Sequence, residues 1–129
     1  MNYLFLDDER VPMQAYYLTN DKIYMAYTWD IVRNYDQFTT YIETHGLPKL
    51  ISFDHDLADE HYKIGAEEEF LGFDYNKTTE KTGLSCAKWL CDYCQVRNLK
   101  FPNYLVHSAN PAGAANIRSY IENYKKHVE

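Results

Sequence analysis

No stretch of this 129-residue sequence is long and apolar enough to cross a bilayer as a helix. The apolar start, Tyr3-Leu4-Phe5-Leu6, meets Asp7-Asp8-Glu9-Arg10 at once, so it is too short for the core of a secretion signal. Cysteine is scarce. Cys86, Cys91 and Cys94 are an odd set crowded into one segment, which argues against a disulfide framework and fits free thiols in a reducing compartment. Positive charge is in deficit, with 13 Lys and Arg against 19 Asp and Glu and a net charge of −6. That excludes a broad duplex-binding face, which needs many Lys and Arg contacts to phosphates. It leaves room for one phosphate or one nucleic-acid end. Internal repeats, low-complexity tracts and linkers are also lacking. The expectation is one domain over residues 1–129, cytoplasmic and without a membrane partner, its oligomeric state unspecified.

Aromatic side chains are abundant, led by 13 tyrosines, so the core should carry many rings with polar tips. Apolar runs at Asn2–Leu6, Trp29–Arg33, Leu50–Phe53 and Tyr104–Val106 read as strands. Lys22–Thr28 also reads as strand-like. Helices are expected from Asp36 to Gly46, from Leu84 to about Asn98, and from about Ala114 to Lys126, with Ala109–Gly113 as a turn before the last. Cys91 and Cys94 share the inward face of the second of these helices, so core packing explains them better than metal or redox chemistry. Residues 57–82 are polar, include Glu67-Glu68-Glu69 and His61, and read as a long functional loop. Strands separated by helices imply right-handed crossovers and a mainly parallel sheet covered on both faces. The fold class is therefore α/β, a three-layer sandwich; with strand order 2-1-3-4, the first, third and fourth strands would be adjacent.

Three of the strands stop at polar groups: Asp7-Asp8 with Arg10, Asp54-His55-Asp56, and His107-Ser108 with Asn110. Each motif alone also reads as an ordinary turn or cap. Together they point to a site, because a parallel sheet gathers all its strand ends at one edge, where ligands bind. Two carboxylates about 4 Å apart repel by roughly 4 kcal/mol at an effective dielectric of 20, so such a cluster calls for a cation. Oxygen ligands favour Mg²⁺ or Mn²⁺, with Asp7, Asp8, Asp54 and Asp56 as candidate ligands. His55 and His107 are candidates for proton transfer. Arg10, Ser108, Asn110 and the start of the last helix are candidates to hold phosphate oxygens.

The strings Leu6-Asp7-Asp8-Glu9-Arg10-x-Pro12, Ser52-Phe53-Asp54-His55-Asp56-Leu57, Thr82-Gly83 and His107-Ser108-x-Asn110-Pro111-x-Gly113-Ala114-x-Asn116-Ile117 resemble the cyclic-phosphate-processing receiver-like family, a divergent relative of the receiver domains of two-component signalling. The resemblance implies a flavodoxin-like fold and the processing of cyclic phosphates on nucleotides or nucleic-acid ends. It places the family motif on Asp7, Asp8, Arg10, Asp54, His55, Asp56, His107, Ser108 and Asn110. In ordinary receivers the acidic pair holds Mg²⁺, the aspartate after the third strand accepts phosphate, and a lysine ends a fifth strand. Asp7/Asp8, Asp54 and Ser108 hold similar places here, but no equivalent lysine is evident. The leading expectation is a metal-dependent cyclic phosphodiesterase, with Asp54, His55 and His107 catalytic. The alternatives are a receiver phosphorylated on Asp54 and a non-catalytic binder of a phosphorylated ligand.

Overall fold

The computed structural model describes residues 2–55 and 82–128. Four short strands, β1 (Tyr3–Leu6), β2 (Asp30–Val32), β3 (Leu50–Phe53) and β4 (Asn103–Val106), form an all-parallel sheet in the order β2-β1-β3-β4. The expected architecture and strand order are thus met. Side chains alternate across the sheet. Leu4, Leu6, Ile51, Phe53 and Val106 face one apolar cluster, and Tyr3, Phe5, Leu50 and Leu105 face the other.

The first cluster is closed by three helices, α3 (Tyr35–His45), α4 (Gly83–Arg97) and α5 (Pro111–Val128). Phe38 and Ile42 of α3, Leu90 and Cys94 of α4, and Ile117 and Ile121 of α5 are fully buried at four-residue spacing, the stripe that a core-facing helix needs. All three cysteines are free and buried in this layer. Burial pushes the Cys91 thiol up to about 12, as it should for a thiol that packs rather than reacts. The second cluster is closed by α1 (Pro12–Thr19) and α2 (Ile23–Ala26), which supply Ala15 and Tyr24.

Two segments differ from expectation. Residues 22–28, expected to be strand-like, contain helix α2. Its β-prone residues Ile23 and Tyr24 turn inward against the sheet, so packing overrides local preference. The last helix starts at Pro111 rather than near Ala114, because proline suits the first helical position and Asn110 caps the helix in front of it. The 57–82 loop, except for Thr82, lies outside the described residues. So do Asp56, His61 and Glu67–Glu69.

Candidate functional site

The strand register builds the site. Leu6, Phe53 and Val106 are aligned neighbours on β1, β3 and β4. The ladder then continues one rung past each strand: Asp7 N–H donates to Val32 O at 3.1 Å, Asp54 N–H to Leu6 O at 3.0 Å, and His107 N–H to Phe53 O at 2.9 Å. Asp7, Asp54 and His107 therefore stand side by side in one row. All three are buried. One ligand atom from each falls within 4.8 Å of the others, a spacing that a single metal ion can bridge. Two buried carboxylates are a donor set suited to a hard divalent cation, with His107 bonded to one of them.

Asp7 is the most constrained of the three. Its Oδ1 accepts the backbone N–H groups of Glu9 at 3.0 Å and Arg10 at 2.9 Å. Its Oδ2 lies 3.0 Å from His107 Nε2 and 3.6 Å from Arg10 Nη1. Burial alone would raise its pKa. The His107 bond, the two backbone N–H groups and the attraction of His107 together win, and lower it to about 2. His107 lies with its ring stacked on Phe5, centroids 4.4 Å apart and planes 8° from parallel. Burial lowers its pKa, and the opposing pull of Asp7 is the smaller effect.

These two shifts predict the acid behaviour of the fold. A group whose native pKa lies below its unfolded value stabilises at higher pH and loses that contribution on acidification. For His107 the loss begins as pH falls below its ordinary 6.5. For Asp7 it begins near 3.8 and is complete below about 2. The urea midpoint should therefore be level between about pH 7 and pH 8, below the range where the buried thiols begin to matter, and decline in two stages on acidification. A midpoint unchanged between about pH 7 and pH 5 would contradict the burial of a neutral His107.

The other expected site residues are close by but in varied settings. Asp8 and Arg10 are half-buried in the turn after β1. Asp54 is held by Gly83: a Cβ at that glycine would stand 2.7 Å from the Asp54 carbonyl carbon and 2.9 Å from His55 Cα. Gly83 N–H also donates to His55 O at 2.7 Å, so α4 starts on the backbone that β3 has just left. His55 is half-buried, and its ring rests on the first turn of α5, where a Cβ at Gly113 would come within 2.7 Å of Nδ1. Ser108 Oγ accepts the Asn110 N–H at 3.0 Å, and Asn110 Oδ1 accepts the Gly113 N–H at 3.0 Å. These two side chains, expected to contact phosphate, thus shape the turn and cap α5.

His107 departs most from expectation. Both of its ring nitrogens are bonded inside the protein, Nε2 to Asp7 and Nδ1 to Ser52 Oγ at 2.6 Å. At 1% exposure it has no face open to an incoming substrate, unlike the proton-transfer group that a strand-end histidine suggests.

Three contributors were not anticipated. Arg33, just past β2, donates through Nη1 to the carbonyls of Asp7 at 3.1 Å and Arg10 at 2.7 Å, and so clamps the acidic turn. A cation at the fourth strand end was the available signal. Ser52 is the one polar residue of the buried β3, which marks it, while Tyr24 carried no signal because its segment was read as a strand.

Neither the curated proteins nor the solved structures include a match to this chain. A family model described as the cyclic-phosphate processing receiver domain matches residues 2–123, a span that takes in all four strands and every site residue above. With the 2-1-3-4 parallel sheet and the acidic row at its carboxyl edge, this establishes that the chain belongs to the cyclic-phosphate processing receiver domain family.

Proposed function

We propose that this receiver-like domain is a metal-dependent phosphoesterase that opens cyclic phosphates on nucleotides or nucleic-acid ends. The observation that carries the reading is the row of Asp7, Asp54 and His107, with donor atoms within 4.8 Å of one another, beside the half-buried His55. Asp7 and Asp54 are the residues that would hold Mg²⁺ or Mn²⁺, with Asp8 at the rim. Such an ion, when bound, neutralises phosphate charge and makes a water molecule more acidic.

The remaining chemistry belongs to the side chains. Arg10 reaches the site with its guanidinium partly exposed, and is suited to a two-pronged contact with phosphate oxygens. The N-terminal end of α5 adds a favourable dipole for the same anion. His55 is the proton carrier. It removes a proton from the attacking water as the oxygen bonds to phosphorus. The ring P–O bond then breaks, and the same proton is the one the leaving alkoxide requires. One accessible histidine therefore suffices, and His107 serves by holding Asp7.

The test is to incubate the purified protein with 2′,3′-cyclic and 3′,5′-cyclic nucleotides, supplying Mg²⁺ and Mn²⁺ in turn. Ring opening should need the ion. His55→Ala should lower kcat by about a hundredfold or more, with the fold and ion binding retained. No opening of either ring type with either ion would overturn the reading for these substrates. Receiver-type signalling through Asp54 makes a different prediction. Acetyl phosphate would then add one stable phosphate to the intact mass, lost on Asp54→Asn.

A further inference from the structure

On the face of the sheet that α3 and α4 share, a crevice of about 620 Å³ opens beside the acidic row. Its place follows from the strand order. β1 lies between β2 and β3, but its own connection leaves for α1 on the opposite face. The helices that follow β2 and β3 therefore stand on either side of β1. Where connections part to opposite faces in this way, a parallel sheet binds its ligands. Tyr35, the first residue of α3, and Thr82, the cap of α4, both line the crevice, so it reaches the carboxyl edge.

Both walls begin at the row itself. Gly83, next after Thr82, donates its N–H to His55 O at 2.7 Å. Tyr35 closely follows Arg33, whose guanidinium holds the Asp7 and Arg10 carbonyls. Trp89 lies two helical turns along α4 from its start, about 9 Å from Gly83 at the rise of a helix. A nucleoside whose phosphate sits on the acidic row spans that distance.

The lining suits a base. Tyr35 and Trp89 supply ring surface, and the exposed Lys88 and Asp92 offer a donor and an acceptor at the rim. The Thr82 and Ser85 side chains are engaged with each other's backbone N–H in capping α4. Trp89 is half-buried and already held in place. It stacks on Tyr93 with centroids 5.2 Å apart, and Phe38 meets it edge-on at 6.2 Å. A ring fixed before the ligand arrives costs binding little ordering entropy. Size and lining match the cavities that take small organic ligands.

We propose that the crevice between α3 and α4 is a nucleobase subsite, in which the base packs against Trp89 and Tyr35 while the cyclic phosphate of the same nucleotide lies on the acidic row. The inference rests on the phosphoesterase reading for the place of the phosphate. Every base has a π-face, so stacking tolerates them all. The crevice thus selects cyclic phosphates that carry a base over those of glycerol or a bare sugar.

The test needs no turnover. Adenosine 3′- and 5′-monophosphates are compared by calorimetry, with Mg²⁺ present, against the methyl riboside phosphates that differ from them in the base. At least one adenosine phosphate should bind about tenfold or more tighter than its base-free counterpart, and should quench Trp89 emission. Trp29, buried in the opposite layer, supplies a constant background. Trp89→Leu should weaken nucleotide binding by about tenfold, and Trp89→Phe, which keeps a ring, should recover most of the loss. Tyr35→Ala, at the half-buried start of α3, should act in the same direction and serves if Trp89→Leu does not fold. Equal affinity with and without the base would overturn the proposal, as would no binding of either adenosine phosphate, or wild-type binding after loss of either ring. If the base preference holds while cyclic phosphates stay closed, the hydrolase reading fails and the subsite stands. If rings open equally well with and without a base, the subsite fails and the hydrolase reading stands.

Discussion

Gly83→Ala is expected to unfold the molecule more readily than almost any other single methyl group added to it. Gly83 opens α4 at the point where that helix meets the end of β3. An added Cβ would fall inside bonding range of the Asp54 carbonyl oxygen, 2.7 Å from its carbon and 2.9 Å from His55 Cα. All three are backbone atoms, so no side chain can rotate away, and either α4 or the β3 end must shift. Overpacking that moves backbone costs about 3 kcal/mol, which lowers the Tm by roughly 10 °C for a chain of this size. Because the displaced atoms carry Asp54 and His55, Mn²⁺ affinity should fall with stability. Gly46→Ala is the control. Gly46 ends α3 with φ +82° but has nothing within 4 Å of its missing Cβ. It should cost about 1–3 kcal/mol, by backbone strain alone, because φ +82° with ψ −172° is almost confined to glycine, and it should leave ion binding untouched. A Gly83→Ala protein with the wild-type Tm and wild-type Mn²⁺ affinity would show that the Gly83 contact is not tight.

Asp7→Asn should have the largest effect on the site. The amide oxygen can still accept from Glu9 and Arg10 N–H, but the amide NH₂ then faces His107 Nε2–H, donor against donor. The buried pair must rearrange or separate. Removing one partner of a buried, hydrogen-bonded pair costs about 3 kcal/mol, and a urea melt should register that loss. A negative ligand is lost as well, so Mn²⁺ binding, followed by the electron spin resonance of the free ion, should weaken by at least about a hundredfold. The acid limb of stability attributed to Asp7 should vanish in the same variant. Wild-type stability with wild-type affinity would remove Asp7 from the centre of the site.

How far a sequence can be read depends on how local the governing physics is. The strands at residues 3–6, 50–53 and 103–106 were legible because a strand buried on both faces must be a short apolar run. Acids cannot continue such a run, so its end is visible too. From those ends and the rule for parallel sheets, the meeting of residues 7, 54 and 107 followed. Helix α1 was not legible. Pro12–Thr19 is apolar or neutral on all sides, with no stripe to mark a periodicity. Helix α2 was misread because Ile23, Tyr24 and Met25 suit a strand when judged alone.

For the site the division is sharper. The side chains gathered at the edge could be named, but not what each one does there. His107 and His55 look alike in sequence, each following a strand. In space, one ends a strand flanked by Phe5, Ser52 and Tyr24 and is sealed off, while the other sits one residue further on, against Gly113 and half-buried. A shift of one residue along the chain separated a buried orienting group from an accessible one. Asn110 shows the same limit: its side chain was open to a phosphate role on paper and caps α5 in the fold.

The class of fold and the edge at which the acids and histidines collect were written in the chain, because they follow from which residues water will and will not accept; the strand order came with the receiver-like resemblance. Which histidine is sealed and which is half-buried, which carboxylate is locked, and that Tyr24 and Ser52 stand behind them emerged only from the packing of the fold. Hydrogen bonds have a direction and a length, and the partners that satisfy them are set by packing between residues up to a hundred positions apart.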